Sequence, residues 1–247
     1  MALESFFSNV DGGARNLIER EFKVYYPYLL YSPNVIHKPV FPELRGDPFV
    51  ADLSPTSPLL TGLDSRDQKG FQRVLEKHMG DQYKWGVAPF LERRDGLLAD
   101  CPQMVAEKRF IHLGLDVIVP LATPLRAPLE ALVETSGYEE GEGNYGGFVL
   151  LRHASPFYET FYSFYGHLCK DSLPRAGEVF AAGTPFAEIG DFHENGNWFY
   201  HTHIQVITTA GLAQGYMSKG YCSQQDMITM NELCPSPIPL FKVGVSV

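Results

Sequence analysis

The sequence predicts a mainly β protein: an antiparallel β-sheet or sandwich core carrying an N-terminal, partly helical, proline-rich extension. Three observations predict it. Beyond residue 100 the chain breaks into short apolar runs punctuated by Gly and Pro, the pattern of strands joined by turns. Before that point, prolines at 33, 39, 42, 48, 55 and 58 mark an irregular, extended stretch, because proline removes a backbone donor and restricts the residue before it. Only two segments show helical spacing.

The first of these runs from Ala14 to Tyr25, with Leu17, Ile18 and Phe22 on one face and Pro27 beyond its end. The second covers Asp67 to Met79, placing Phe71, Val74 and Leu75 together and stopping at Gly80. The division expected is residues 1–84 as the extension and 85–247 as the main domain. In Arg109-Phe110-Ile111-His112-Leu113-Gly114-Leu115-Asp116 the β-branched run Val117-Ile118-Val119 favours a strand, and Pro120 ends it. Glu139 to Asn144 is charged and glycine-rich, a solvated hairpin tip. Strand-like segments follow at Phe148 to His153, Phe161 to Leu168 and His201 to Gln205. There are no internal repeats.

Composition narrows the function classes. A chain of 247 residues with 45% hydrophobic content can bury a full core. Its net charge of −9, with no Lys/Arg cluster, argues against nucleic acid and anionic membranes as partners. Met1 to Asp11 lacks the basic and apolar regions of a signal peptide, and no apolar run is long enough to span a bilayer, so a cytoplasmic location is expected. The four cysteines, 101, 169, 222 and 234, are too scattered for a disulfide framework or a Cys-based metal site and are expected to be reduced.

Chemistry concentrates in His112, Asp116, His201 and His203. Zinc favours imidazole nitrogen and carboxylate oxygen, and a hydrolytic site uses three protein ligands with a fourth position left for water. Side chains at i, i+2 and i+4 of a strand share a face. His112 and Asp116 therefore point one way, with Gly114 leaving space between them, and His201 and His203 point together. A His/Asp/His set drawn from these four fits the rule, although one His-x-His pair among eight histidines carries little weight alone. His167, closing the aromatic strand Phe161-Tyr162-Ser163-Phe164-Tyr165-Gly166-His167-Leu168, adds a third element.

At this point the sequence resembles the M23 family of zinc metallopeptidases, the lysostaphin and LytM-like endopeptidases. The resemblance covers residues 105 to 210 and rests on His112-Leu113-Gly114-Leu115-Asp116, on Asn144-Tyr145-Gly146-Gly147 leading to Arg152-His153, on Tyr165-Gly166-His167-Leu168, on the glycine-linked segments Ala176 to Val179 and Ala182 to Pro185, and on His201-Thr202-His203. It implies the duplicated-hybrid-motif (LytM-like) fold and zinc held by His112, Asp116 and His203. It also implies His201 and His167 as catalytic partners beside the metal and the substrate carbonyl. The activity implied is hydrolysis of an amide bond in a peptide or peptide-like molecule, peptidoglycan peptides included. No His-Glu-x-x-His sequence occurs, so His167 or His201 must move the protons, and the sequence leaves open which. Two other functions compatible with these residues are a non-catalytic binding or regulatory module and a metal hydrolase of a non-peptide substrate.

The chain also departs from the family pattern. The loop Glu194-Asn195-Gly196-Asn197-Trp198-Phe199-Tyr200 lacks the usual proline and sets aromatic residues against the site. This loop, Trp85 to Arg94, and Cys234-Pro235-Ser236-Pro237 together resemble a branch found in cytosolic proteins, often joined to kinase-like and aminotransferase domains. His153 matches a non-ligand position; His37, His78 and His193 are expected to be solvated or capping, and Glu194 a surface charge. An extension residue such as Asn34 or His37 could reach the metal groove, but an arm that only buries a sheet edge is favoured.

Overall fold

The computed structural model describes residues 23–64 and 66–241. Twelve strands appear among them: β1 (Phe49–Val50), β2 (Gly86–Ala88), β3 (Ile111–His112), β4 (Leu115–Ile118), β5 (Pro124–Arg126), β6 (Ala131–Glu139), β7 (Gly146–Ser155), β8 (Tyr158–Leu168), β9 (Val179–Phe180), β10 (Pro185–Glu188), β11 (His201–Thr208) and β12 (Tyr221–Cys222). Eight of them form one sheet in the order β1-β2-β4-β11-β8-β7-β6-β9, while β5 pairs with β10 and β3 with β12. Apart from the parallel β1–β2 pair, every named strand pairing is antiparallel. The expected mainly β, antiparallel core is therefore what forms.

Strand alternation divides this sheet into two chemically different faces. On one, Leu115 and Val117 of β4, Ile204 of β11, Tyr165 of β8 and Val149 and Leu151 of β7 pack beneath the β5–β10 ribbon, which contributes Leu125, Phe186 and Ala187. On the other, β11 presents His201, His203, Gln205 and Ile207, and β8 presents Phe164 and Tyr162, partly covered by Tyr216, Met230 and Leu233 from the C-terminal segment. Apolar burial on the first face fixes the register that aligns the polar groups of the second.

The proline-rich stretch wraps the sheet edge. Strand β1 adds to β2, and the helix α1 (Gln68–Met79) packs Phe71 and Leu75 into a cluster with Ala88, Ile118 and Phe199. The helix begins where the sequence places it: Asp67 caps it by accepting from the Gly70 N–H at 2.8 Å, and Gly80 ends it with φ +51°. Of the other helical expectation, Ala14 to Tyr25, the residues up to 22 lie outside the described ones. Gly141 to Asn144 is an exposed tip between β6 and β7. The four cysteines are free thiols. Among the described residues no helix is long and apolar enough to cross a membrane.

His153 sits in the sheet away from the other histidines of interest. Its Nδ1 donates to the Glu130 carbonyl at 3.1 Å, and its Nε2 lies 2.8 Å from the Ser163 hydroxyl. Burial pushes this imidazole down to about 4, the Glu130 carbonyl offsetting only part of the effect. The unfolded chain, with an ordinary value near 6.5, binds the proton first as pH falls. Stability contributed by neutral His153 is therefore intact above about pH 6.5 and lost on the way down to about 4, amounting to about 3 kcal/mol. Chemical denaturation at stepped pH should show wild type losing about that much more stability than His153→Gln over this window; parallel losses would show that His153 is not the titrating group.

Candidate metal centre

His112, Asp116 and His203 converge. Strand β4 pairs with β11 so that Asp116 lies opposite His203, and His112 reaches the same point from β3. His112 Nε2 is 2.9 Å from His203 Nδ1, and each lies 3.2 Å from Asp116 Oδ1. All three residues are at most 3% exposed. Gly114 supplies the space: a Cβ there would stand within 2.7 Å of the His203 ring nitrogens. The predicted single strand through this segment is instead two, β3 and β4, interrupted at Leu113 and Gly114 and pairing with different partners.

Hydrogen bonds fix which ring nitrogens face inward. His112 Nδ1 lies 2.9 Å from the Pro89 carbonyl, an acceptor only, so this nitrogen carries the proton and Nε2 presents a lone pair. Gln205 Nε2 donates to the carbonyls of Tyr216 and Lys219, which turns Gln205 Oε1 toward His203 Nε2 at 3.0 Å. In its neutral form His203 thus presents a lone pair at Nδ1. Two imidazole lone pairs and a carboxylate oxygen face one another across a triangle with sides of 2.9 to 3.2 Å. Such donors repel unless a cation lies among them, and the triangle is close to the edge of about 3.3 Å expected for a tetrahedron with metal–ligand bonds of about 2.0–2.1 Å. The donor set suits zinc.

Asp116 is held from behind. Its Oδ2 accepts from Arg94 Nη1 at 2.7 Å, and Arg94 Nε donates to Glu92 Oε2 at 2.8 Å. Glu92 in turn accepts from the backbone N–H of Leu53, tying the proline-rich segment to the site. Burial opposes charge on Asp116, yet His112, Arg94 and His201 hold its carboxyl well below the usual carboxylate range. Burial, with Arg94 adding to it, pushes His112 down to about 4.

His201 and His167 stand beside the triangle with ring centroids 4.3 Å apart. His201 Nδ1 donates to the Phe199 carbonyl and His167 Nδ1 to the Asn195 carbonyl, both at 2.8 Å, so each ring turns Nε2 outward as an acceptor. His201 Nε2 is 3.8 Å from Asp116 Oδ1. Burial keeps both imidazoles below their ordinary range. His167 arrives by an unexpected route. Alternation from Tyr165 would turn it toward the apolar face, but φ of +66° and a register shift against β7 between Gly147 and Val149 turn it to the histidine face.

A cavity of about 110 Å³ opens on these groups, lined by Asp116, His167 and His203 together with Arg94, Tyr145, Trp198 and Tyr221. Of the aromatic residues in the loop before His201, Phe199 stacks on His201 at 4.3 Å and Trp198 meets His167 edge-on at 6.0 Å; in the aromatic strand Phe161, Phe164 and Tyr165 are core. No described residue before Arg94 lines the cavity; His37 instead engages the Leu240 carbonyl at 2.8 Å. His78 caps toward Val74, His193 is exposed, and Glu194 accepts from the backbone N–H groups of Lys170 and Asp191. Cys169 lies beyond the end of β8, and burial raises its thiol above the ordinary range.

Sequence reading missed Gln205, Arg94, Glu92, Tyr145, Tyr221 and Asn195. Strand alternation from His203 would have found Gln205. Nothing local marks the rest.

No known family's sequence profile matches the chain, and no curated protein matches it. Solved structures are similar over part of its length. A zinc-containing peptidase from Vibrio cholerae is 21% identical over 39% of this chain and 27% of its own, with a TM-score of 0.33. The catalytic domain of the prophage-encoded M23 protein EnpA from Enterococcus faecalis gives 18% identity over 46% of this chain and 75% of that one, TM-score 0.35. The catalytic domain of the antimicrobial peptidase lysostaphin from Staphylococcus simulans gives 15% over 49% and 80%, TM-score 0.35. The chain thus spans about a quarter of the Vibrio peptidase it matches. The donor geometry, rather than these partial likenesses, defines the site.

Adding one methyl group at Gly114 tests that geometry. Gly114→Ala should displace the His203 ring and lower zinc affinity at least tenfold in competition with a chelating dye, with the circular dichroism spectrum unchanged. Undiminished affinity would mean that His203 is not a ligand.

Proposed function

We propose that the chain is a zinc-dependent hydrolase that cleaves an amide bond in a peptide or peptide-like substrate. One observation carries the reading: three buried electron-pair donors face one another, with a pair of acceptor histidines beside them. His112 through Nε2, Asp116 through Oδ1 and His203 through Nδ1 would hold the ion. Bound there, Zn²⁺ supplies Lewis acidity, polarising the scissile carbonyl and bringing the pKa of water toward about 7.

The chain's own residues do the rest. Pro89 and Gln205 hold the ligand imidazoles in the tautomers that offer lone pairs inward, and Arg94 orients Asp116. His167, which lines the cavity, and His201, whose Nε2 lies 3.8 Å from Asp116 Oδ1, are both kept neutral by burial, and the pair can take the proton lost by the attacking water and deliver it to the departing amine nitrogen. Asn195 positions His167: its backbone oxygen accepts from Nδ1, while its side chain bonds Gly190 and Trp198 and holds the loop. Phe199 and Trp198 screen the two rings from bulk water.

Protein purified without chelator should contain about one zinc per chain by elemental mass spectrometry, and His112→Ala and Asp116→Ala should contain almost none. Hydrolysis of glycine-rich peptides should vanish on chelation and return with zinc. His167→Ala and His201→Ala should retain the metal while kcat drops by about 10²–10⁴. Zinc-loaded wild type that hydrolyses no peptide would remove the peptidase reading, and a zinc-free wild type would remove the metal centre as well.

A further inference from the structure

Among the described residues, two hydrogen-bond donors in the cavity have nothing to bond. Arg94 Nη2 and the Tyr145 hydroxyl are both buried from solvent and without a partner among the described residues, and both residues line the space beside Asp116 and His203. Arg94 is 2% exposed, and its other nitrogens are fully committed: Nε to Glu92, Nη1 to Asp116 and to the Tyr221 hydroxyl at 3.2 Å. Nη2 is thus held in place by bonds that leave it free. The Tyr145 hydroxyl is placed with similar care. A Cβ at Gly220 would stand 2.6 Å from it and 3.5 Å from His203 Cε1, so only glycine at 220 lets the phenol reach this position next to the His203 ring.

Unpaired buried donors cost free energy, and two that line one cavity call for something there to complete them, an ordered water or a bound acceptor. Both line the same cavity, Arg94 bonded to Asp116 and Tyr145 beside His203, whose ring centroid is 5.5 Å away. The cavity, about 110 Å³, far exceeds the roughly 10–15 Å³ that one water needs. A divalent ion on Asp116 would leave the buried group of Arg94, Glu92, Asp116 and the ion with one net positive charge. The group that completes both donors must accept hydrogen bonds and is favoured if it carries a negative charge.

We infer that Arg94 Nη2 and the Tyr145 hydroxyl form a carboxylate subsite, and that the substrate bears a free carboxylate close to the scissile amide. The substrate class is then a short peptide or peptide-like molecule cut near an acidic end, rather than the interior of a long chain. This rests on the hydrolase reading for the word substrate, although the subsite can be measured as binding alone.

The test uses the full-length, zinc-loaded protein and two probes, N-acetyl-triglycine and its C-terminal amide, whose affinities are read by calorimetry as Kd, or as KM if mass spectrometry shows cleavage in the same sample. Wild type should favour the acid at least tenfold, and Tyr145→Phe, which removes only the hydroxyl, should cut that preference to about threefold or less at unchanged zinc content. Arg94→Lys, which keeps the charge but loses Nη2, should act in the same direction. Equal affinity for acid and amide in wild type, absence of binding by both included, overturns the subsite and leaves the two donors to ordered water. So does an undiminished preference in Tyr145→Phe, which would mean that the acid binds the ion directly. Acid-selective binding without cleavage by the zinc-loaded protein would sink the hydrolase reading and leave the subsite standing.

Discussion

The pairing of β4 with β11 is the constraint on which everything else here depends. Asp116 opposite His203, and Ile118 opposite His201, is one register among several that two short strands could adopt. What selects it is the reverse side of the same strands, where Leu115, Val117 and Ile204 are buried under the β5–β10 ribbon. A slip of β11 by one residue would carry Ile204 to the polar face and both histidines into the apolar layer. The geometry of the donor triangle is therefore enforced by hydrophobic burial, not by the attraction of the polar groups for one another.

Around that triangle runs a second set of contacts whose role is to direct protons. The Pro89, Phe199 and Asn195 carbonyls and the Gln205 side-chain oxygen each accept from one histidine, so that four rings turn their opposite nitrogens toward a common region. These acceptors come from the segment after β2, the loop before β11 and β11 itself. Arg94 does the corresponding work for the carboxylate, and because its charge is divided between Asp116 and Glu92 the segment after β2 is fastened to both the site and the proline-rich arm through Leu53.

What could be read from the sequence follows the range of the forces involved. The helix over Gln68–Met79, with its cap at Asp67 and stop at Gly80, is written in local chemistry, and so is the strand character of the core. The facing of His201 with His203 and the room left by Gly114 are consequences of period-two geometry and were legible for the same reason. The split of the His112 to Asp116 segment into two strands was not, since it depends on β12 arriving from more than 100 residues later to pair with β3. Arg94 was equally out of reach. Its residue type suggests a surface charge, and only the fold brings Glu92 and Asp116 to it.

His167 shows most plainly how this chain has been shaped by something other than stability. A non-glycine residue at φ +66° is uncommon; glycine takes that region freely, and asparagine, aspartate and histidine enter it more often than other side chains. A glycine in its place would remove the cost of the positive φ while removing the imidazole that lies beside His201. The fold would gain and the chemistry would lose. Under the hydrolase proposed above, the position holds an imidazole at a cost to the backbone, and selection for thermal robustness alone would be expected to erase it first.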